Sequence, residues 1–206
     1  MMEEKRMPPE AAIFGTANGV FFMAIFGTLW AYTGIMGLQW PGGTQTALLI
    51  IALLIGIALC TTGFLLLRSG RKFSGTSAGS KSGKKQRNAF NLIFAAEGIA
   101  IAIAIFVCNA TQITQLIPII VALIVGVHFF PLASLFGVRV YHLTGGLICA
   151  IALVAWIFIP ERISIGGYEA NAYMTVVGLG SALVLWLTSL QIVRIGRGIV
   201  QNAEAR

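Results

Sequence analysis

Six stretches of this chain are long and apolar enough to cross a membrane as helices, and they constrain the fold more than any other feature. Crossing a hydrocarbon layer of about 30 Å takes roughly 20 apolar residues in helical form. Strict alternation of apolar and polar residues is absent, which disfavours a β-barrel. Because a backbone in lipid must satisfy its own hydrogen bonds, we predict an all-α, polytopic six-helix bundle. The predicted spans lie within Ala11–Trp40 and at Ala47–Leu67, Ala89–Ala110, Leu116–Phe136, Val140–Pro160 and Ala172–Val193.

The composition agrees with a membrane protein and excludes several kinds of site. Of the 206 residues, 57% are hydrophobic and 10% are charged, whereas soluble domains carry about 25% charged residues. All seven acidic residues are glutamates. Sites that require aspartate, such as the paired-aspartate proteases and aspartate-rich calcium loops, are therefore excluded.

The distribution of Lys and Arg predicts the orientation of the bundle. If the N-terminus is cytoplasmic, thirteen of the fourteen basic residues fall on the cytoplasmic side and only Arg162 falls outside. Positive charge concentrates on that side in membrane proteins. We therefore predict a multi-pass protein of a bacterial inner membrane with both termini in the cytoplasm. Residues 1–10 and 194–206 form the cytoplasmic termini, and the helices at 11–67 and 89–193 form one membrane domain.

The basic segment 68–88 connects the second and third predicted helices. It is rich in Gly and Ser and lacks hydrophobic periodicity, which is typical of a flexible linker. Its charges predict contact with anionic lipid headgroups, at about 1 kcal/mol for each basic residue near the surface. A loop that docks a partner or binds a nucleotide is the alternative, although no phosphate-binding Gly-x-x-x-x-Gly-Lys-[Ser/Thr] motif supports it. The net charge of +7 needs no nucleic-acid partner.

Two ionisable side chains lie well inside predicted spans, Glu97 and His128. Burying such groups in lipid is costly, so each is a candidate for function. Glu97 lies ten residues after Arg87, and His128 lies eleven residues before Arg139. At the helical rise these separations correspond to ~15 Å and ~16 Å. Because a short connection makes the two helices antiparallel neighbours, we expect the two side chains to meet at one level near the middle of the membrane.

A carboxyl group beside an imidazole has two interpretations. Burial favours the neutral form of each group, and their mutual attraction favours the charged forms. A pair near that balance is a plausible proton carrier. The alternative is an interhelical hydrogen bond that only fixes helix packing, worth about 0.6–2 kcal/mol.

Three further residues are candidates for supporting roles around this pair. We expect Asn18 to lie at a similar level and to complete a polar cluster, although it lies beside a Gly15-x-x-x-Gly19 pattern that indicates helix contact. We expect Asn91 to extend a polar path towards the cytoplasm from nearly the same helix face as Glu97. Pro131 is a candidate hinge, because its missing N–H and its ring disturb the preceding helical turn.

The most distinctive local sequence begins at His128 and reads HFFPLASLFGVRVYH. Its HFFPLA motif resembles small six-span bacterial membrane proteins of unknown function, and this resemblance implies no activity. At the end of the segment, Arg139, Tyr141 and His142 form a polar cytoplasmic elbow. Snorkelling to the headgroups explains such an elbow. A gate or a contact for an anionic ligand is the alternative.

Taken together, these patterns predict a small transporter or channel-like protein for an ion or small solute, with proton linkage through Glu97 and His128. The alternative is a non-transporting subunit, chaperone or sensor in which the pair only fixes packing. No zinc-protease motif or correctly spaced serine-hydrolase turn occurs, so we expect no enzyme activity, cofactor or metal. Glycine-rich helix faces make a homo-oligomer or a membrane partner an open prediction.

Overall fold

The computed structural model describes residues 9–70 and 81–204, which form six long helices and one short hairpin. The connections within the described residues are short. The elements are α1 (Pro9–Gly37), α2 (Gly42–Gly70), α3 (Lys81–Ala110), a single 3-10 turn (Thr114–Leu116), α4 (Ile117–Phe136), α5 (Val140–Phe158), β1 (Arg162–Ile165), β2 (Tyr168–Asn171) and α6 (Ala172–Glu204).

The all-α prediction is confirmed, because each of these six helices is long and apolar enough to cross a membrane. The predicted linker 68–88 is partly wrong. Residues 68–70 end α2, and α3 begins at Lys81 rather than at Ala89. Lys, Gln and Arg are good helix formers, so a polar extension continues the apolar helix where hydropathy alone would end it. Residues 71–80 of that segment lie outside the described residues.

Close contact between α1 and α6 forms the centre of the bundle. The two helices are antiparallel, since Gly19 lies against Ile192 and Gly34 lies against Leu179. A Cβ atom on Gly34 would lie 2.6 Å from the backbone nitrogen of Leu179. Only glycine allows backbones to approach this closely. The first and last helices therefore start and finish at one end of the bundle, the termini end, and β1 and β2 lie at the opposite hairpin end.

Helix α2 packs on α1 through a face that alternates small and large residues. Gly56, Gly63 and Gly70 recur every seven residues, and each lies against a side chain of α1. A seven-residue repeat keeps one face of a helix on its neighbour along the whole contact. The buried residues of α2 are Ala52, Gly56, Leu59, Gly63, Leu66 and Gly70.

Helices α4 and α5 form a second close pair, and α5 connects it to α6. Gly126 and Gly145 meet where α4 crosses α5, and a Cβ atom on Gly126 would lie 3.0 Å from the Gly145 carbonyl oxygen. The hydroxyls of Thr144 and Thr188 form a buried 2.8 Å hydrogen bond between α5 and α6. Helix α3, in contrast, packs chiefly against α4. An 18-residue apolar stretch of α3 contains no buried residue.

The β-hairpin between α5 and α6 was not predicted. Its strands pair antiparallel, with Ile165 opposite Tyr168. The two residues between them, Gly166 and Gly167, have φ values of 60° and 85°, and such a glycine pair is a standard two-residue hairpin turn. The Asn171 side chain then accepts a hydrogen bond from the Met174 N–H at 2.9 Å and caps α6. The Gly-Gly pair was a usable signal in the sequence.

Candidate functional site

Glu97 of α3 and His128 of α4 lie side by side in the structure. The Nδ1 atom of His128 is 3.1 Å from Oε1 of Glu97, and the side chains are 14% and 9% exposed, respectively. The two helices run antiparallel from the connection at residues 111–116, and this arrangement places both residues at one level. The sequence analysis predicted this contact from the same short connection and the same antiparallel arrangement of the two helices.

A second contact of His128 indicates where its imidazole carries hydrogen. Nδ1 lies 2.6 Å from the carbonyl oxygen of Val125, one turn earlier in α4. A carbonyl oxygen only accepts hydrogen bonds, so we infer that Nδ1 is protonated and donates. Its hydrogen is then shared between Val125 and the Glu97 carboxyl group. The other nitrogen, Nε2, forms no hydrogen bond within the described part of the chain.

The pair borders an elongated cavity of about 870 Å³ between α1, α3 and α4. On α1 the lining runs from Gly15 to Thr33, which is a length of ~27 Å at the helical rise. This length is close to the thickness of a hydrocarbon layer, about 30 Å. The cavity therefore runs along most of the bundle, and the pair lies in its middle section.

Aromatic side chains hold α1 and α3 apart along this cavity. Phe22 of α1 contacts both Phe90 and Phe94 of α3, with ring centroids 5.6 Å apart in each case. Phe26 lies 6.1 Å from Phe94, and Phe136 of α4 lies 5.9 Å from Phe90. The rings meet mainly edge to face, an arrangement that aromatic pairs prefer. They are spacers, because helix backbones separated by large side chains leave open volume between them.

Polar residues also line the cavity at the termini end. The Gln86 amide donates a 3.1 Å hydrogen bond to the Leu135 carbonyl and ties α3 to α4. Arg87 is exposed and lines the same end. Tyr141 of α5 also lines the cavity and is only 6% exposed. Aromatic walls thus separate the polar termini end of the cavity from the polar pair.

Asn18 does not join the pair, and the predicted polar cluster is wrong on this point. Asn18 lines the cavity but is one turn nearer the termini end than Phe22, whose ring is level with Phe90 and Phe94. It therefore lies roughly 11 Å or more along the bundle from Glu97. The expectation of a common level failed because no short connection joins α1 to α3, so the sequence does not define the level of one against the other.

The predicted polar path through Asn91 is also wrong. Asn91 is exposed and lines no part of the cavity. It precedes Glu97 by six residues, and six steps of 100° leave the two side chains about 120° apart around the helix. The cavity face of α3 is instead marked by residues spaced three and four apart, namely Gln86, Phe90, Phe94, Glu97 and Ile101.

Pro131 lies inside α4, and the helix continues through it without interruption. It borders a second, smaller groove of about 480 Å³ on the other side of the α3–α4 contact, where Glu97 and His128 also line the wall. The pair therefore stands between the cavity and this groove. Pro131 lies one turn from His128 in α4. Its role as a hinge stays a prediction.

The predicted elbow divides into two parts. Arg139 and His142 are exposed, and the His142 ring lies 5.7 Å from Phe130. Tyr141 points the other way, into the core. A Cβ atom on Gly19 would lie 2.8 Å from its hydroxyl oxygen. The elbow interpretation did not predict that Tyr141 points into the core. The spacing was a usable signal, because Tyr141 and Thr144 are three residues apart and both lie on the buried face of α5.

The aromatic spacers are the cavity-lining residues that sequence reasoning missed. Their signal is the repeated four-residue spacing, which occurs at Phe22 and Phe26 in α1 and at Phe90 and Phe94 in α3. Each pair lies on one helix face. No group of three or more His, Cys, Asp or Glu residues that could hold a metal ion occurs within residues 9–70 and 81–204.

Comparison with known protein families, curated proteins and solved structures found no match to this chain. The functional argument therefore rests on the geometry of the site.

Proposed function

We propose that this protein is a membrane transporter for a small solute, and that transport is linked to a proton held by Glu97 and His128. The single observation that carries the proposal is a buried carboxyl–imidazole pair that lines a cavity as long as a hydrocarbon layer is thick. Ionisable groups in a membrane interior are rare and mark pathways for ions, protons or substrates. One side of the pair faces the cavity, and the other side borders the smaller groove.

The charge distribution supports an orientation for this transporter. Arg68, Arg139 and Arg194 belong to the termini end, and Arg162 belongs to the hairpin end. Positive residues concentrate on the cytoplasmic side of membrane proteins. We therefore infer that the termini end is cytoplasmic and that the protein resides in the cell membrane. Anionic headgroups near segment 68–88 remain part of this proposal.

Reconstitution into vesicles that contain a pH-sensitive dye tests the proposal. We expect the parent protein to carry protons across the vesicle membrane when a gradient is applied, and we expect Glu97→Gln and His128→Ala to reduce the flux at least tenfold. Glu169→Gln is the matched control, since Glu169 pairs with Arg162 on the exposed hairpin, 3.6 Å away. If neither pair variant alters the flux but both lower thermal stability, the packing interpretation is correct and the proposal is wrong.

A non-transporting membrane subunit is the second candidate, and the position of α3 favours it. The apolar stretch of α3 has no buried residue, so a helix of another protein would find an open surface there. Purification in mild detergent discriminates the two functions. A stoichiometric partner that is lost when α3 surface residues such as Leu92 and Ile99 are changed to alanine would favour the subunit function.

A further inference from the structure

We propose that the cavity binds a lipophilic organic cation, and that this cation takes the place of one proton on the Glu97–His128 pair. The inference rests on the proposed function and names its substrate class. It starts from three properties of the site: the apolar side chains that line the cavity, the sign of the charge that Glu97 can carry, and a net charge of the site that stays constant on binding.

The walls of the cavity favour an organic body over an inorganic ion. Of the residues that line it, most are aliphatic or aromatic. The polar ones lie at the pair and towards the two ends, with Thr33 and Thr114 at the hairpin end. An inorganic ion that loses its water needs several oxygen ligands to replace it. The aromatic section around Phe22, Phe90 and Phe94 offers none. An apolar molecule of substantial size instead fits a cavity of about 870 Å³.

The sign of the buried charge favours a cation. Among the described residues that line the cavity, Glu97 is the one acidic residue. The facing residues that carry or can gain charge are His128 from α4, Arg87 at the termini end of α3, and Tyr141 from α5. The described linings from α1 and α6 contain no ionisable side chain. Arg87 is ten residues from Glu97 along the helix, or ~15 Å, and is exposed to solvent.

The aromatic rings near Glu97 add to this preference. Phe94 lies one turn from Glu97 on the same face of α3, and Phe26 lies against Phe94 with ring centroids 6.1 Å apart. Trp30, one turn beyond Phe26, also lines the cavity. The face of an aromatic ring attracts a cation. A carboxylate beside aromatic faces therefore recognises a delocalised organic cation and disfavours an anion of the same shape.

Conservation of charge links the cation to a proton. A buried site with uncompensated charge is strongly disfavoured, so the pair holds one proton in the absence of a ligand. That proton is on the carboxyl group beside a neutral imidazole, or on the imidazole beside a carboxylate. When a monovalent cation binds, the pair releases this proton to solvent and becomes a carboxylate beside a neutral imidazole. The charge of the site is the same before and after the exchange.

Two probes of nearly equal shape and opposite charge test the inference. Tetraphenylphosphonium and tetraphenylborate are titrated into the purified full-length protein by calorimetry, in buffers with different enthalpies of protonation. We expect tetraphenylphosphonium to bind at least tenfold more tightly than tetraphenylborate and to release about one proton. Its affinity should rise about tenfold for each pH unit over the range in which the pair holds its proton.

Matched variants separate the site from a general effect on folding. Glu97→Gln should weaken tetraphenylphosphonium binding at least tenfold and abolish proton release, whereas Glu97→Asp and the exposed Glu169→Gln should retain both. Binding of triphenylmethane, a neutral aromatic probe, should survive in Glu97→Gln and show that its cavity is intact. If Glu97→Gln also loses triphenylmethane binding, its cavity is damaged and Glu97→Asp becomes the test variant. Because Glu97→Asp keeps a carboxyl group, it must still bind the cation.

The outcomes distinguish this inference from the proposed function. Tighter binding of tetraphenylborate, or tetraphenylphosphonium binding that is indifferent to Glu97→Gln, overturns the inference. If proton flux into vesicles nevertheless depends on Glu97, the proposed function stands with a different substrate. If both the flux and the cation binding are independent of Glu97, both proposals are wrong.

Discussion

The two sides of the bundle pack in opposite ways. Where α1 meets α6, Gly34 and Gly178 bring the backbones into direct contact, and Leu179 fills the remaining space. Where α1 faces α3, phenylalanine rings separate the helices and a cavity of about 870 Å³ lies between them. Gly98 lies on this side, and no atom lies within 4 Å of a Cβ atom placed on it.

The comparison shows that glycine alone does not produce close packing. Gly34 has a neighbouring backbone in contact, whereas Gly98 faces open space because Phe90 and Phe94 on the same helix hold α1 away. Lipid provides no hydrophobic force that would pull two apolar helices together, so packing contacts decide how closely they approach. The tight side forms a rigid scaffold, and the open side carries the polar pair.

The largest effect on stability is expected from a side chain placed in the tight contact. Gly34→Leu would put a Cβ atom 2.6 Å from the Leu179 backbone nitrogen, and neither backbone can move away without separating α1 from α6. We expect a loss of about 3 kcal/mol or more in the free energy of unfolding, the upper range for overpacked sites. Thermal unfolding in detergent micelles measures this loss.

The control for this change is Gly15→Leu, also on α1, where a Cβ atom meets nothing within 4 Å. We expect its stability to be unchanged or raised by up to about 1 kcal/mol, because leucine is a better helix former than glycine. Equal losses for the two variants would contradict the view that contact with α6 is what requires glycine at position 34.

A smaller effect is expected from breaking the pair on the open side. Glu97→Leu removes the 3.1 Å contact with His128, and interhelical polar contacts in membranes are worth about 0.6–2 kcal/mol. We expect a loss of stability in that range together with loss of proton flux. A loss as large as that of Gly34→Leu would mean that the pair chiefly holds α3 in place.

The smallest effect on stability is expected from filling the cavity. Gly98→Leu adds a side chain where no atom is near and replaces a residue that disfavours helix by about 1 kcal/mol relative to alanine. We expect stability to be unchanged or raised by up to about 1 kcal/mol, and solute binding to fall at least tenfold because the side chain occupies the cavity. Differential scanning calorimetry and probe titration of the same sample measure both. A marked loss of stability would show that this side is packed.

The sequence predicted the six helices well because lipid imposes a simple length requirement on apolar segments. It also predicted that Glu97 and His128 meet, since a short connection and nearly equal distances from Arg87 and Arg139 define their levels. Helix ends were less predictable. Polar residues such as Lys84 continue α3 beyond its apolar part, and hydropathy carries no information about where such an extension begins.

The surroundings of the pair could not be predicted, because they depend on which helices are neighbours across the bundle. Hydropathy does not reveal that α1 packs against α6 or that α3 stands apart from α1. Asn18 was predicted at the wrong level along the bundle, and Asn91 was predicted on the wrong side of its helix. The direction of Asn91 was calculable from helix geometry alone, whereas the level of Asn18 required the contact between Phe22 and Phe90.

The central claim is that the Glu97 carboxyl group holds an exchangeable proton beside an accessible cavity. Dicyclohexylcarbodiimide, an apolar reagent that reacts with protonated carboxyl groups, tests this claim directly when the modified residue is located by mass spectrometry. We expect modification at Glu97 but not at the exposed Glu169, and protection of Glu97 in the variant Gly98→Leu, whose cavity is filled. An unmodified Glu97 in the parent protein would overturn the proposed proton exchange, and the pair would then be only a packing contact between α3 and α4.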